Sequence, residues 1–282
     1  MLPYLYRKTT AAIESPNNLE QPTLEDTTIA PKVKLWQLWL ILLANGMYAL
    51  LANLLFYFNI IEPSRSSADK WPFIGLGLMI YSVQAMLIYF LVKKYADLRW
   101  LIQAFKAQDW LRGLTIGLLV WGAANLFLAL RLPEGFQRLG STRGFERFLP
   151  IFILNSMPGA LIEEYLFRYL PVRFAENRRL SRERTLLLFM AVLVFFTATH
   201  IPAYLWQYQN PLSSLWGPFT MGAAYFFVYY ATRNLAFATL FHAFSNNSWM
   251  LVGRSEIKDY SLVIVASVIW FFWRTYRRGG LR

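Results

Sequence analysis

The chain contains no cysteine, only two histidines, and charged residues at just 16% of its 282 positions. The lack of cysteine excludes disulfides, thiol nucleophiles and Cys-based metal sites together. So few charges could not cover the surface of a soluble protein of this length. Acidic residues are the scarcer sign, 16 against 28 Lys and Arg, which leaves a formal net charge of +12. That excess invites a nucleic-acid reading, but its distribution argues against one. The basic residues are scattered through short segments between apolar runs, where they serve topology and contact with anionic headgroups. No apolar stretch follows Met1, so no cleavable signal peptide is expected, and Glu20, Glu25 and Asp26 argue against a transit peptide. There is no internal repeat, no low-complexity tract, and none of the ten-residue alternation that a transmembrane β-barrel requires.

What the chain has in abundance is apolar surface. Hydrophobic residues make up 56% of it, aromatics 18%, and the mean hydropathy is +0.34. Eight apolar segments lie at roughly 35–61, 71–92, 111–130, 149–173, 185–206, 213–231, 234–251 and 260–276. Each approaches the roughly 20 residues that cross a hydrocarbon core of about 30 Å. Only helices or closed barrels satisfy the backbone in lipid, so the expected fold is all-α: a polytopic transmembrane bundle of about eight helices. Many of the 11 Trp and 16 Tyr fall at segment ends, as in interfacial belts. Residues 1–34 read as a polar, disordered tail and 35–282 as the transmembrane domain. The fourth segment should break near Asn155-Ser156-Met157-Pro158, with a new helix starting at the proline. Residues 95–110 read as an amphipathic helix along the interface. With the N-terminus inside, 19 Lys and Arg fall on inner segments and 8 on outer ones. Both termini are therefore expected in the cytoplasm of a plasma membrane or equivalent inner membrane.

Charge inside the spans is confined to a few residues. Glu163, Glu164 and Arg168 lie in the fourth segment, and both histidines of the chain, His200 and His242, also lie in spans. A charge at the centre of a membrane helix costs roughly 2.5–3.5 kcal/mol, so such residues are functional candidates by default. Glu164 and Arg168 are four residues apart, on one helix face, and can pair. Glu163 lies about 100° round the helix with no partner of its own, which directs it to the bundle interior. The plainer reading is a buried ion pair joining two helices. His200 closes the run Phe196-Thr197-Ala198-Thr199-His200, and His242 stands one turn before Asn246. Either histidine alone is accounted for by an interhelical hydrogen bond. Together, a carboxylate, two imidazoles and an amide supply a base, a second water-orienting group and oxyanion donors.

The three motifs Glu163-Glu164-x-x-x-Arg168, Phe196-x-x-x-His200 and His242-x-x-x-Asn246, in that order on three apolar helices, resemble the CAAX protease and bacteriocin-processing (CPBP) family of intramembrane endopeptidases. The resemblance covers roughly 149–251 and departs from the family at Tyr169, where many members carry Gly. It implies hydrolysis of a peptide bond in a membrane-associated protein or peptide. Glu163 and His200 would then activate a water, His242 and Asn246 would stabilise the oxyanion, and Glu164, Arg168 and Phe196 would support them. No cofactor is favoured. Zinc held by Glu163, His200 and His242 stays open as an alternative, although the spacing has no His-Glu-x-x-His and Asn is a poor zinc ligand. A transporter or proton relay and a non-catalytic scaffold are the readings from other classes. A helix starting at Pro158 would place Glu163 about 8 Å from its outer end, and His200 lies about 9 Å from the outer end of its span. The expected partners are that substrate and the bilayer, without nucleic acid.

Overall fold

The computed structural model describes residues 33–58, 60, 70–132, 134–139, 148–207, 210–246 and 261–279, all within one compact unit, Lys32–Arg282. The tail 1–32 lies outside the described residues. Among them all regular structure is helical: α1 (Leu35–Tyr57), α2 (Lys70–Tyr95), α3 (Leu98–Ala104), α4 (Ala107–Arg131), α5 (Gly135–Leu139), α6 (148–178), α7 (Arg182–Thr199), α8 (Trp216–Thr232), α9 (Leu235–Asn246) and α10 (Ser261–Gly279).

Four of these are both long and apolar enough to cross a membrane, at Leu35–Leu55, Ile74–Tyr95, Ala107–Arg131 and Arg182–Trp206. Only 11% to 28% of their most apolar stretches is buried in protein. Leu43, Met47 and Leu51 on α1, Met86 and Phe90 on α2, and Leu118 and Leu119 on α4 all stand exposed. Such an apolar outer surface would be untenable in water and is what lipid requires. The chain is therefore an integral membrane protein. The count of eight crossings is not reproduced by this measure, for physical reasons that differ by element. Helix α6 carries the charges of the first motif, α8 has 17 residues, and α9 has 12. Twelve residues rise only about 18 Å.

Helix α9 is enclosed by protein. Every residue from Leu235 to Phe244 is buried, chiefly against α4 and the middle of α6. The approach to α4 depends on Gly113, where an added Cβ would lie 2.0 Å from Asn234 Oδ1 and 2.9 Å from the Phe237 nitrogen. That closeness lets Asn234 do two jobs. Its Oδ1 accepts the Phe237 N–H in the first turn of α9, and its Nδ2 donates to the Asp109 carbonyl of α4.

Helix α6 corrects the expected break. It runs unbroken from 148 to 178 and passes both Pro158 and Pro171. Two π turns make this feasible. In Phe152–Ser156 the closing bond runs from the Met157 N–H to Phe152, and in Tyr165–Tyr169 from the Leu170 N–H to Tyr165. Each ends two residues before a proline. A proline lacks the N–H, and its ring crowds the carbonyl four residues earlier. A widened turn just before it displaces that carbonyl, so the helix continues past the proline. In consequence Glu163 lies at the midpoint of a 31-residue helix, not near its outer end.

The segment 95–110 resolves into α3 and the start of α4. Asp97 caps α3 by accepting the Arg99 N–H at 2.9 Å, and Trp100 and Ala104 are buried. Tyr169, the departure from the family pattern, donates from its hydroxyl to the Trp100 carbonyl at 2.7 Å and so ties α3 to α6. The same end of the bundle holds Arg173 against Gln103, Arg233 against Glu176 at 2.9 Å, and the Val33 N–H on Asn177 at 3.3 Å. All are segments that the Lys and Arg distribution assigns to one side.

Candidate active site

The first motif lies where α6 widens. Glu163 and Glu164 close the α-helical stretch Met157–Glu164, and Arg168 sits inside the second π turn. Glu164 and Arg168 are both fully buried, and Arg168 Nη1 lies 3.5 Å from Glu164 Oε1. The intrahelical pair expected from the spacing is thus present. Arg168 also donates from Nη2 to the Gly222 carbonyl at 3.4 Å, and its guanidinium carbon stands 4.1 Å from the centre of the Phe196 ring. Gly222 is what lets α8 come this close. A Cβ there would meet Leu193 and the Phe196 ring at 2.8–2.9 Å. The charge therefore sits among aromatic faces, where a desolvated cation gains about 2 kcal/mol.

Glu164 has a second partner that its helix could not reveal. His242, only 3% exposed, places Nδ1 2.8 Å from Glu164 Oε1. A carboxylate oxygen accepts, so Nδ1 carries the proton and donates. Nε2 is then turned towards Glu163, whose Oε2 is 3.6 Å away. That is too long for a direct hydrogen bond. The Glu163 side chain is one-third exposed, yet its Oε2 atom is buried and takes no hydrogen bond from the protein. The expectation that Glu163 has no partner in its own helix and faces inward is met. The view of Glu164 as a purely structural ion-pair member is too narrow, since it also fixes the tautomer and direction of an imidazole.

The second motif joins through its phenylalanine. Phe196 is buried, packs edge-on against Phe167 at 5.2 Å, and forms the floor under Arg168. Its carbonyl holds His200 Nδ1 at 2.8 Å, at the C-terminus of α7. That bond commits Nδ1 as donor and leaves Nε2 as the nitrogen able to accept. Asn246 ends α9 and is exposed. Among the described residues no hydrogen bond or ion pair joins His200 or Asn246 to Glu163, Glu164 or His242, so the structure joins the first motif to His242 directly and to the second motif through Phe196, and leaves Asn246 apart. Nor do any three described His, Asp or Glu side chains gather at metal-binding range. Glu163, His200 and His242, the alternative zinc set, therefore do not form one cluster.

Sequence reasoning missed Tyr225. Its ring stacks on His242 with centroids 4.1 Å apart and planes 19° from parallel. A tyrosine in an apolar helix rich in aromatics carries no local signal of such a role. Residues 145–248 match the model of the Rce1-like family, described as type II CAAX prenyl endopeptidase. The matched segment contains all three motifs, so the resemblance to CPBP proteases is borne out over that segment. No curated protein and no solved structure matches the chain.

Proposed function

We propose that the chain is an intramembrane endopeptidase that cleaves a membrane-associated protein with a water activated by Glu163. The observation that carries this reading is the order Glu164, His242, Glu163: a buried carboxylate orients an imidazole, whose other nitrogen faces a second, partly accessible carboxylate at 3.6 Å. That spacing lets one water lie within hydrogen-bond reach of both Glu163 Oε2 and His242 Nε2. Glu163 takes the proton of this water as its oxygen attacks the scissile carbonyl carbon. The carbon–nitrogen bond then breaks, and the proton held by Glu163 passes to the leaving amine. His200 Nε2 serves as the second group that aligns the water. The oxyanion is met by the Asn246 amide N–H, while His242 Nε2 faces the attacking water beside Glu163. Such a donor contributes roughly 2.7–4 kcal/mol in a dry site. Glu164 and Arg168 hold the imidazole in register throughout.

In this proposal the protein crosses the membrane eight times with both termini in the cytoplasm. The meeting of α3, the start of α4 and α9, and the ends of α6 and α8 at one polar face supports that alternation. The decisive experiment compares wild type with Glu163→Gln on a membrane peptide that the purified protein cleaves. Gln keeps the shape but cannot take a proton, so the variant should fold normally and lose activity by a factor on the order of a hundred or more. Undiminished turnover in Glu163→Gln would overturn the reading.

A further inference from the structure

We infer that Tyr225 is a positioning residue for His242, held in place by a hydrogen-bond chain through Ser245. This rests on the proteolytic reading above and adds two residues, Tyr225 and Ser245, that the motifs leave unspecified. Ser245 Oγ lies 2.7 Å from the His242 carbonyl, which can only accept, so the serine spends its single proton there. The Tyr225 hydroxyl also bonds Ser245 Oγ, and must therefore be the donor. The chain runs from the Tyr225 hydroxyl to the Ser245 hydroxyl and on to the backbone of His242. The same residue is thus gripped twice, by its carbonyl through this chain and by its ring through the near-parallel stack at 4.1 Å.

These two contacts complement the Glu164 bond. A hydrogen bond at Nδ1 fixes one atom and the tautomer, but leaves the ring free to rock about that atom. A flat aromatic face removes the rocking and sets the direction of Nε2. Phe241 meets Tyr225 edge-on at 5.5 Å, and the Arg168 guanidinium carbon lies 5.2 Å from the centre of its ring. Arg168 in turn stands over Phe196, whose carbonyl carries His200. Tyr225 thereby touches His242 and also abuts the stack leading to the other histidine.

The test is steady-state kinetics and melting temperature of purified full-length Tyr225→Phe, Ser245→Ala, their double variant and Tyr225→Leu, with Glu163→Gln as control. Tyr225→Phe and Ser245→Ala break the same chain, so each should lower kcat about fivefold and leave KM and melting temperature nearly unchanged. The double variant should be no worse than either single one. Tyr225→Leu also removes the stack and should lower kcat on the order of a hundredfold, as a misplacement of about 1 Å does. Should Tyr225→Leu fail to fold, the Phe and Ala cycle decides alone. Losses that multiply, losses carried by KM, or unaltered kcat in both single variants would overturn the inference. An active Glu163→Gln control would instead sink the proteolytic reading itself.

Discussion

Removing the Glu164 carboxylate should separate stability from activity in a way that a plain ion pair would not. Glu164 and Arg168 are fully buried, and Glu164 Oε1 serves both Arg168 at 3.5 Å and His242 Nδ1 at 2.8 Å. Glu164→Leu keeps approximate volume and leaves Arg168 charged without its carboxylate, which typically costs roughly 3–5 kcal/mol. The Gly222 carbonyl and the Phe196 ring still hold the guanidinium, which puts the loss at the low end, about 3 kcal/mol. The His242 Nδ1–H is also left unpaired, which adds about 1–3 kcal/mol. In detergent this should appear as a drop in melting temperature on the order of 10 °C. The double variant Glu164→Leu/Arg168→Met removes both charges at similar volume, and such replacements are often neutral or stabilising. Its melting temperature should recover most of that drop and stay below wild type by what the unpaired His242 Nδ1–H still costs. Activity should not return, because His242 still lacks its acceptor, and turnover should stay down by a factor of roughly 10–100. The assay is thermal unfolding beside cleavage of one membrane peptide for all three proteins. A double variant that regains activity together with stability would refute the claim that Glu164 orients His242. A Glu164→Leu protein as stable as wild type would refute the buried-pair arithmetic.

Three further outcomes follow from particular features. Since the chain has no native cysteine, single cysteines beside Arg7, Arg178 or Arg278 should resist an impermeant label added outside intact cells, while one beside Arg138 should react; the reverse pattern would invert the topology. Hydrolysis should survive exhaustive chelation, because Asn246 is a poor zinc ligand and the spacing lacks His-Glu-x-x-His; activity lost on chelation and restored by zinc alone would make Glu163, His200 and His242 metal ligands. Gly113→Val should lower the melting temperature by an amount equivalent to roughly 1–3 kcal/mol of overpacking, since its Cβ would collide with Asn234 and the backbone of Phe237. A Gly113→Val protein that melts with wild type would show that α4 and α9 do not pack as tightly as described.

The amino-acid sequence alone determined what depends on composition and on spacing within a helix. Long apolar runs with few charges dictate membrane helices, because an unpaired backbone cannot cross lipid. The four-residue step from Glu164 to Arg168 dictates their pairing, because a helix puts those positions on one face. Three short motifs marked candidate residues, of which the structure brings Glu163, Glu164, Arg168 and His242 together. What the sequence could not determine was how each helix is rotated against its neighbours, since that depends on the shapes that pack between them. Pro158 read locally as a break, and only the continuous helix with its π turns showed that the backbone could widen and carry on past it. Glu164 read locally as half of an ion pair, yet its nearest partner is His242, 78 residues away, brought there by the packing of α6 on α9. Tyr225 gave no local signal at all. It stacks on that histidine because Gly222, one turn earlier on the same helix, has no side chain to hold α8 off the Phe196 ring.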